Sequence, residues 1–178
     1  MIEHLINNKN NMFFLIAGPC VIEEKEKTYD IAKKILDITQ KNNIPFIFKA
    51  SYKKANRTRV DSFTGLGDEK GLEILKSISE KLNIPVTTDI HSPEDVFLAS
   101  KYVQMIQIPA FLCRQTEILI AAGKVNNFVN IKKGQFCSAE SVQFMIEKIT
   151  SQGNEKVMVT ERGNSFGYQD LVVDMRNI

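Results

Sequence analysis

Short apolar runs alternate with longer stretches whose apolar residues recur at helical spacing, and this alternation continues almost from one end of the chain to the other. Phe13–Ala17 reads as a buried strand, and Glu23–Gln40 follows as a helix with Ile31, Ile35 and Ile38 on one face. Phe46–Ala50, Val86–Ile90, Met105–Ile108, Phe128–Ile131 and Lys156–Thr160 are the next strands. Between them lie helices over Glu69–Leu82, Ser92–Ser100, Glu117–Ala122 and Ser138–Ser151. Pro45 and Pro85 each stand just before a strand, where a missing amide costs little. Ser92-Pro93-Glu94 has the cap, first-turn Pro and first-turn acid of a helix start. Lys41-Asn-Asn-Ile-Pro-Phe and Lys81-Leu-Asn-Ile-Pro-Val echo each other, as repeated units would, although chance produces echoes this short.

Six strands separated by full helices should run parallel, because a parallel neighbour is reached only by a long crossover. The class is therefore α/β, as a doubly wound sheet or a (β/α)8 TIM barrel. Polar residues favour the barrel. Cys20, Lys49 with Ser51, Asp89 with His91, Gln107, Lys132 with Gln135, and Arg162 fall at or just after strand ends, and barrel strand ends surround one cavity. A barrel needs eight strands and roughly 250 residues, so 178 residues with six units read as an incomplete barrel domain spanning residues 1–178.

Composition narrows the function. Hydrophobic residues at 43% and charged residues at 25% suit a folded domain. With 23 Lys and Arg against 21 Asp and Glu, the net charge of +2 lacks the basic excess of a nucleic-acid binder. Apolar runs are too short to cross a bilayer. No basic, then hydrophobic, secretory leader opens the chain, and the three cysteines form no close pair, which suits a reducing cytoplasm.

Phe48–Arg59 carries five cations, Lys49, Lys53, Lys54, Arg57 and Arg59. Such a loop at a strand end grips phosphates and carboxylates, or is a solvated basic loop. Lys132 and Arg162 ending two further strands favour the first reading. Asp89-Ile-His91 offers an acid and an imidazole for metal ligation, proton transfer or hydroxyl binding; alternatively, Asp89 receives loop amides and His91 caps the next helix. Cys20 is a metal thiolate, a nucleophile or buried filler, and Cys113 and Cys137 read as filler. Phe13, Phe14, Phe46 and Phe48 read as core, Phe111 as cavity floor or core. Gly65-Leu-Gly67, Gly134 and Gly163-Asn-Ser-Phe-Gly167 read as tight turns, none of them a nucleotide fingerprint.

Seven ordered blocks resemble the 3-deoxy-8-phosphooctulonate synthases: Ala17-Gly-Pro-Cys20, Phe48-Lys-Ala-Ser51, Lys54-Ala-Asn-Arg57, Thr88-Asp-Ile-His91, Gln107–Thr116, Asn130–Phe136 and Thr160–Tyr168. The resemblance implies a (β/α)8 barrel in a cytoplasmic homotetramer, condensing phosphoenolpyruvate with D-arabinose 5-phosphate to make an inner core sugar of lipopolysaccharide. It places Lys49, Lys132 and Arg162 on phosphoenolpyruvate, with Ser51 and Gln135 nearby, and Gln107 is a further substrate-binding candidate. Lys54, Asn56 and Arg57 would take the sugar phosphate and Asp89 its hydroxyls, while Phe111 lines the pocket and Arg114 reaches across a subunit interface.

Cys20 resembles the ligand of the family's metal-dependent branch, which implies a divalent cation (Mn, Fe, Zn, Co or Mg), whereas the metal-independent branch has Asn there. The family's other ligands, one His and two acids, are expected beyond Ile178, so the chain is expected to be C-terminally truncated and inactive alone. Thr58–Thr64 departs from the familiar form of its loop, where Arg59 is expected to compensate locally. Two alternatives stand beside this reading: a related synthase using erythrose 4-phosphate, which the Lys-Ala-Asn-Arg block disfavours, and a non-catalytic ligand-binding or partner subunit.

Overall fold

The computed structural model describes Ile2, residues 13–167 and residues 170–178. Tyr168, the last residue of the seventh block, and most of the N-terminal segment lie outside the described residues. The chain divides into two compact units, Met1–Thr88 with Tyr102–Gln104, and Asp89–Lys101 with Met105–Ile178.

In the first unit β1 (Leu15–Ala17), β2 (Phe46–Lys49) and β3 (Val86–Asp89) pair in parallel, with Ile16 opposite Ile47 and Phe48 opposite Val86. Helix α1 (Lys25–Lys41) joins β1 to β2, and α2 (Asp68–Leu82) joins β2 to β3. The core gathers Ile47, Phe48, Leu72, Leu75, Ile78 and Val86, all buried. In the second unit β4 (Met105–Ile108), β5 (Phe128–Lys132) and β6 (Val157–Thr160) pair in parallel, with Gln107 opposite Asn130 and Lys132 opposite Thr160. Helices α3 (Pro93–Ala99), α4 (Thr116–Gly123) and α5 (Val142–Thr150) belong to this unit. Ile106, Ile108, Leu119, Val129, Ile131 and Ile149 form its core. Each unit repeats the parallel βα arrangement from which a (β/α)8 barrel is built, and the alternation of strands and helices is the one the pattern predicts. No described helix is long and apolar enough to cross a membrane.

The echo between Lys41 and Lys81 is structural. Asn43 and Asn83 both adopt left-handed backbone, φ 54° and 52°, a conformation Asn tolerates at helix exits. After each, an isoleucine amide returns to the helix, Ile44 to the Thr39 carbonyl at 2.9 Å and Ile84 to the Ser79 carbonyl at 3.3 Å. The following proline then delivers the chain to its strand.

Four expectations need correction. Phe13 is 70% exposed and outside β1, whose residues are only half-buried. The reason is register: β2 begins at Phe46, so the ladder starts where the Leu15 amide donates to the Pro45 carbonyl at 2.8 Å. On α1, Ile38 is exposed while Thr28, Ala32 and Thr39 are buried. Small side chains permit close approach there, and the buried hydroxyls are satisfied within the helix, Thr28 by the Glu24 carbonyl at 2.6 Å and Thr39 by the Ile35 carbonyl at 3.0 Å. Helix α5 begins at Val142, because Ser138–Ser141 forms a turn closed by the Ser141 hydroxyl on the Ser138 carbonyl at 2.7 Å. Gly163–Gly167 is not one turn. Its two glycines, with φ of 86° and 66°, bracket β7 (Asn164–Phe166), which pairs antiparallel with β8 (Asp170–Val172).

Candidate active site

The first unit places its cations at the end of β2. Gly18, just beyond β1, passes so close to this end that a Cβ on it would stand 1.9 Å from the Lys49 carbonyl oxygen; only glycine fits. Ser51 is fully buried, and its Oγ accepts hydrogen bonds from the ammonium groups of both Lys49 and Lys54, each at 2.8 Å. Two like charges therefore meet at one hydroxyl.

Of the other cations of the loop, Lys53 and Arg59 are paired with carboxylates and Arg57 is anchored through one nitrogen. Lys53 bonds Asp68 at 3.0 Å beside the Tyr52 ring, and the Arg57 Nε donates to the Phe63 carbonyl at 3.0 Å. Arg59 makes a forked pair with Asp61 at 2.8 Å for both bonds, so its guanidinium is committed at the surface rather than compensating within the site. Asn56 and Arg57 are exposed. The loop is tied down by the Lys54 amide on the Thr64 carbonyl at 2.7 Å and by bridging of Lys53 with Gly65.

Asp89 ends β3 as a buried carboxylate. Its Oδ2 is 3.2 Å from His91 Nε2, and Asp95 Oδ2 lies 3.7 Å from His91 Nδ1. Burial pushes the imidazole pKa down, but the two neighbouring carboxylates of Asp89 and Asp95 outweigh it and hold the pKa above its ordinary value. His91 does not cap α3; Ser92 does, accepting from the Asp95 amide at 3.2 Å, while the His91 amide donates to Asp95 at 3.0 Å.

In the second unit Lys132 ends β5, and the loops after β5 and β6 carry Gln135 and Arg162. Among the described residues, Gln135 Oε1 and Arg162 Nη1 are buried atoms that find no hydrogen-bond partner. A donor of fixed positive charge left this way suits a ligand anion. Gln107 is buried in β4. Phe111 is 65% exposed and stacks on Phe136 with ring centroids 6.4 Å apart, so it does not belong to the core. Arg114 is exposed and lines a cavity of about 350 Å³ with Phe136, Cys137, Phe144 and Lys148. Cys113 and Cys137 are buried, with sulfurs 4.0 Å apart. A roomier cavity of about 660 Å³ lies at α1 and α2, but Glu23, Glu24, Glu26 and Glu73 outnumber Lys25 and Lys70 in its lining, which disfavours a polyanion.

Sequence reasoning passed over Lys133, whose ammonium is buried and reached by oxygens from both loops. The signal was the Lys132-Lys133 pair itself: neighbours at a strand end point to opposite sides, so one of two lysines must go inward. Asp95 was also missed, as a first-turn acid that serves the imidazole.

A sequence model of the DAHP synthetase I family matches residues 2–178. The chain belongs to the DAHP synthetase I family. Among its curated relatives in this family, a protein of Desulfatibacillum aliphaticivorans is 53% identical over 163 residues, covering 92% of this chain and 60% of that protein. One from Koribacter versatilis is 50% identical with 92% and 59% covered, and one from Trichlorobacter lovleyi 49% identical with 93% and 61% covered. All three are named 2-dehydro-3-deoxyphosphooctonate aldolase. The chain spans about 60% of the length of these relatives.

The metal expectation has a single candidate ligand. Cys20 is an exposed thiol, and among the described residues no group of three His, Cys, Asp or Glu side chains could hold a metal ion. These residues do not by themselves fit a divalent cation.

Proposed function

We propose that the protein condenses phosphoenolpyruvate with D-arabinose 5-phosphate and water, giving 3-deoxy-D-manno-octulosonate 8-phosphate and inorganic phosphate. The observation that carries this reading is Ser51, with two ammonium groups on its hydroxyl at 2.8 Å. A phosphate or carboxylate beside both ammonium groups is attracted by two positive charges at once. The names of the relatives support the same chemistry.

Roles follow the likeness residue by residue. Lys49, Lys132 and Arg162 hold the phosphate and carboxylate of phosphoenolpyruvate, with Ser51, Gln107 and Gln135 beside them. Lys54, Asn56 and Arg57 engage the sugar phosphate, Asp89 its hydroxyls, and Phe111 lines the pocket. Arg114 serves an adjacent subunit in a cytoplasmic homotetramer. Carbon 3 of phosphoenolpyruvate attacks the sugar aldehyde, water adds at carbon 2, and cleavage of the carbon–oxygen bond at carbon 2 releases phosphate. Fixed cations stabilise the charge that develops because they are in place before the reaction. A divalent cation at Cys20 would need ligands besides those among the described residues.

The test is phosphate release by the native protein with arabinose 5-phosphate and with erythrose 4-phosphate, with and without divalent metal, alongside the product mass. Turnover with arabinose 5-phosphate supports the proposal. Turnover only with erythrose 4-phosphate, or phosphoenolpyruvate binding without phosphate release, overturns it.

A further inference from the structure

The Lys133 side chain is 1% exposed as a residue, and its ammonium lies where the loops after β5 and β6 meet within the second unit. From the β5 loop come the carbonyls of Gly134 at 3.3 Å and Cys137 at 3.1 Å. From the β6 loop come the Gly163 carbonyl at 3.3 Å and Asn164 Oδ1 at 2.9 Å. Glu161 Oε1 stands 3.4 Å away as counter-charge and also receives the Gly163 amide at 2.5 Å. An ammonium has three protons, so these acceptors share them, and the geometry holds only while both loops keep their places. Backbone bonds also join the two segments, one in each direction, Lys133 amide to Thr160 carbonyl at 3.0 Å and Ser165 amide to Gln135 carbonyl at 3.1 Å.

A buried ammonium is costly unless paired and hydrogen-bonded, and here both conditions are met by the two segments that present Gln135 and Arg162. We propose that Lys133 is a positioning residue: it clamps the β5 and β6 loops so that Lys132, Gln135 and Arg162 present one preformed phosphoenolpyruvate-binding arrangement. This rests on the function proposed above. Lys133 itself has its protons turned into the protein and touches no substrate.

The test compares the native protein with Lys133→Met, with the charge-balanced Lys133→Met/Glu161→Gln, and with the milder Asn164→Ala, which removes one acceptor. Phosphoenolpyruvate binding is followed by calorimetry and both KM values by phosphate release. Misplacing binding groups by a fraction of an ångström should raise Kd and KM for phosphoenolpyruvate about tenfold in either Lys133 variant, with KM for the sugar phosphate within about twofold. Glu161→Gln in the double variant removes the stranded carboxylate and restores Tm without restoring phosphoenolpyruvate affinity. A purely structural role predicts lower Tm with both KM values unchanged, and that result, or an equal rise in both, overturns the proposal. If neither Lys133 variant folds, Asn164→Ala decides: about threefold weaker phosphoenolpyruvate binding supports the clamp, and unchanged binding sinks it. If the unaltered protein does not bind phosphoenolpyruvate, the functional reading fails and the clamp falls with it. Binding by the unaltered protein with equal binding by the variants removes the clamp alone.

Discussion

Replacing Gly18 by Ala places a methyl carbon 1.9 Å from the Lys49 carbonyl oxygen, 2.9 Å from its carbon and 3.0 Å from the Phe48 ring. Overpacking a filled site costs about 1–3 kcal/mol and occasionally more. Here the nearest obstacle is backbone, which cannot rotate aside as a side chain can, so the cost belongs at or above the upper end, about 3 kcal/mol. For a domain of this size that lowers Tm by about 6–12 °C. Gly153→Ala is the control. Nothing lies within 4 Å of its added carbon, and only its φ of +95° opposes the change, for about 1–2 kcal/mol. Thermal and urea unfolding of the native protein and both variants measure the difference, and phosphate titration follows the β2 end that carries Lys49. Gly18→Ala should be the less stable variant and bind phosphate more weakly. A Gly18→Ala protein as stable as Gly153→Ala would refute the close approach of the two segments.

Three further outcomes are expected. Ser51→Ala removes the shared acceptor of Lys49 and Lys54; hydrogen bonds to charged groups are worth about 1.5–3 kcal/mol each, but half-exposed ammonium groups recover part from water, leaving a loss of about 1–2 kcal/mol and weaker phosphate binding by calorimetry. His91 has a folded pKa raised above 6.5, so its stabilising contribution is complete below that pH and fades as pH rises through the folded value; urea midpoints should fall across that window, and His91→Gln should flatten the fall. Phe111→Ala loses an exposed ring stack, worth less than about 1.5 kcal/mol, so its Tm should barely change while a pocket role would appear as a raised substrate KM.

The candidate site was legible where chemistry depends on residue type at a strand end. Lys49, Asp89 and Lys132 stand out because charged residues rarely close apolar strands without a task, and Arg162 follows two residues after β6. Their partners were harder to read. Ser51 as acceptor of two lysines depends on side-chain direction, and the commitment of Lys53 to Asp68 joins residues fifteen apart in the chain. Arg59 looked like a substrate group until Asp61 took both prongs of its fork.

The alternation of apolar runs and helical spacing by itself determined the parallel βα order, since each element must bury its apolar face and parallel strands require crossovers. The repeated Asn-Ile-Pro exits were written in it too, because Asn tolerates left-handed backbone and Pro delivers the strand. Only tertiary structure decided where β1 begins, because its ladder depends on the register of β2. The same holds for the buried face of α1, where close approach chose Thr28 and Ala32 over Ile38. It also chose between the two lysines at the end of β5. Identical in type and adjacent in sequence, they part because Lys133 meets the oxygens of two loops that only folding brings together.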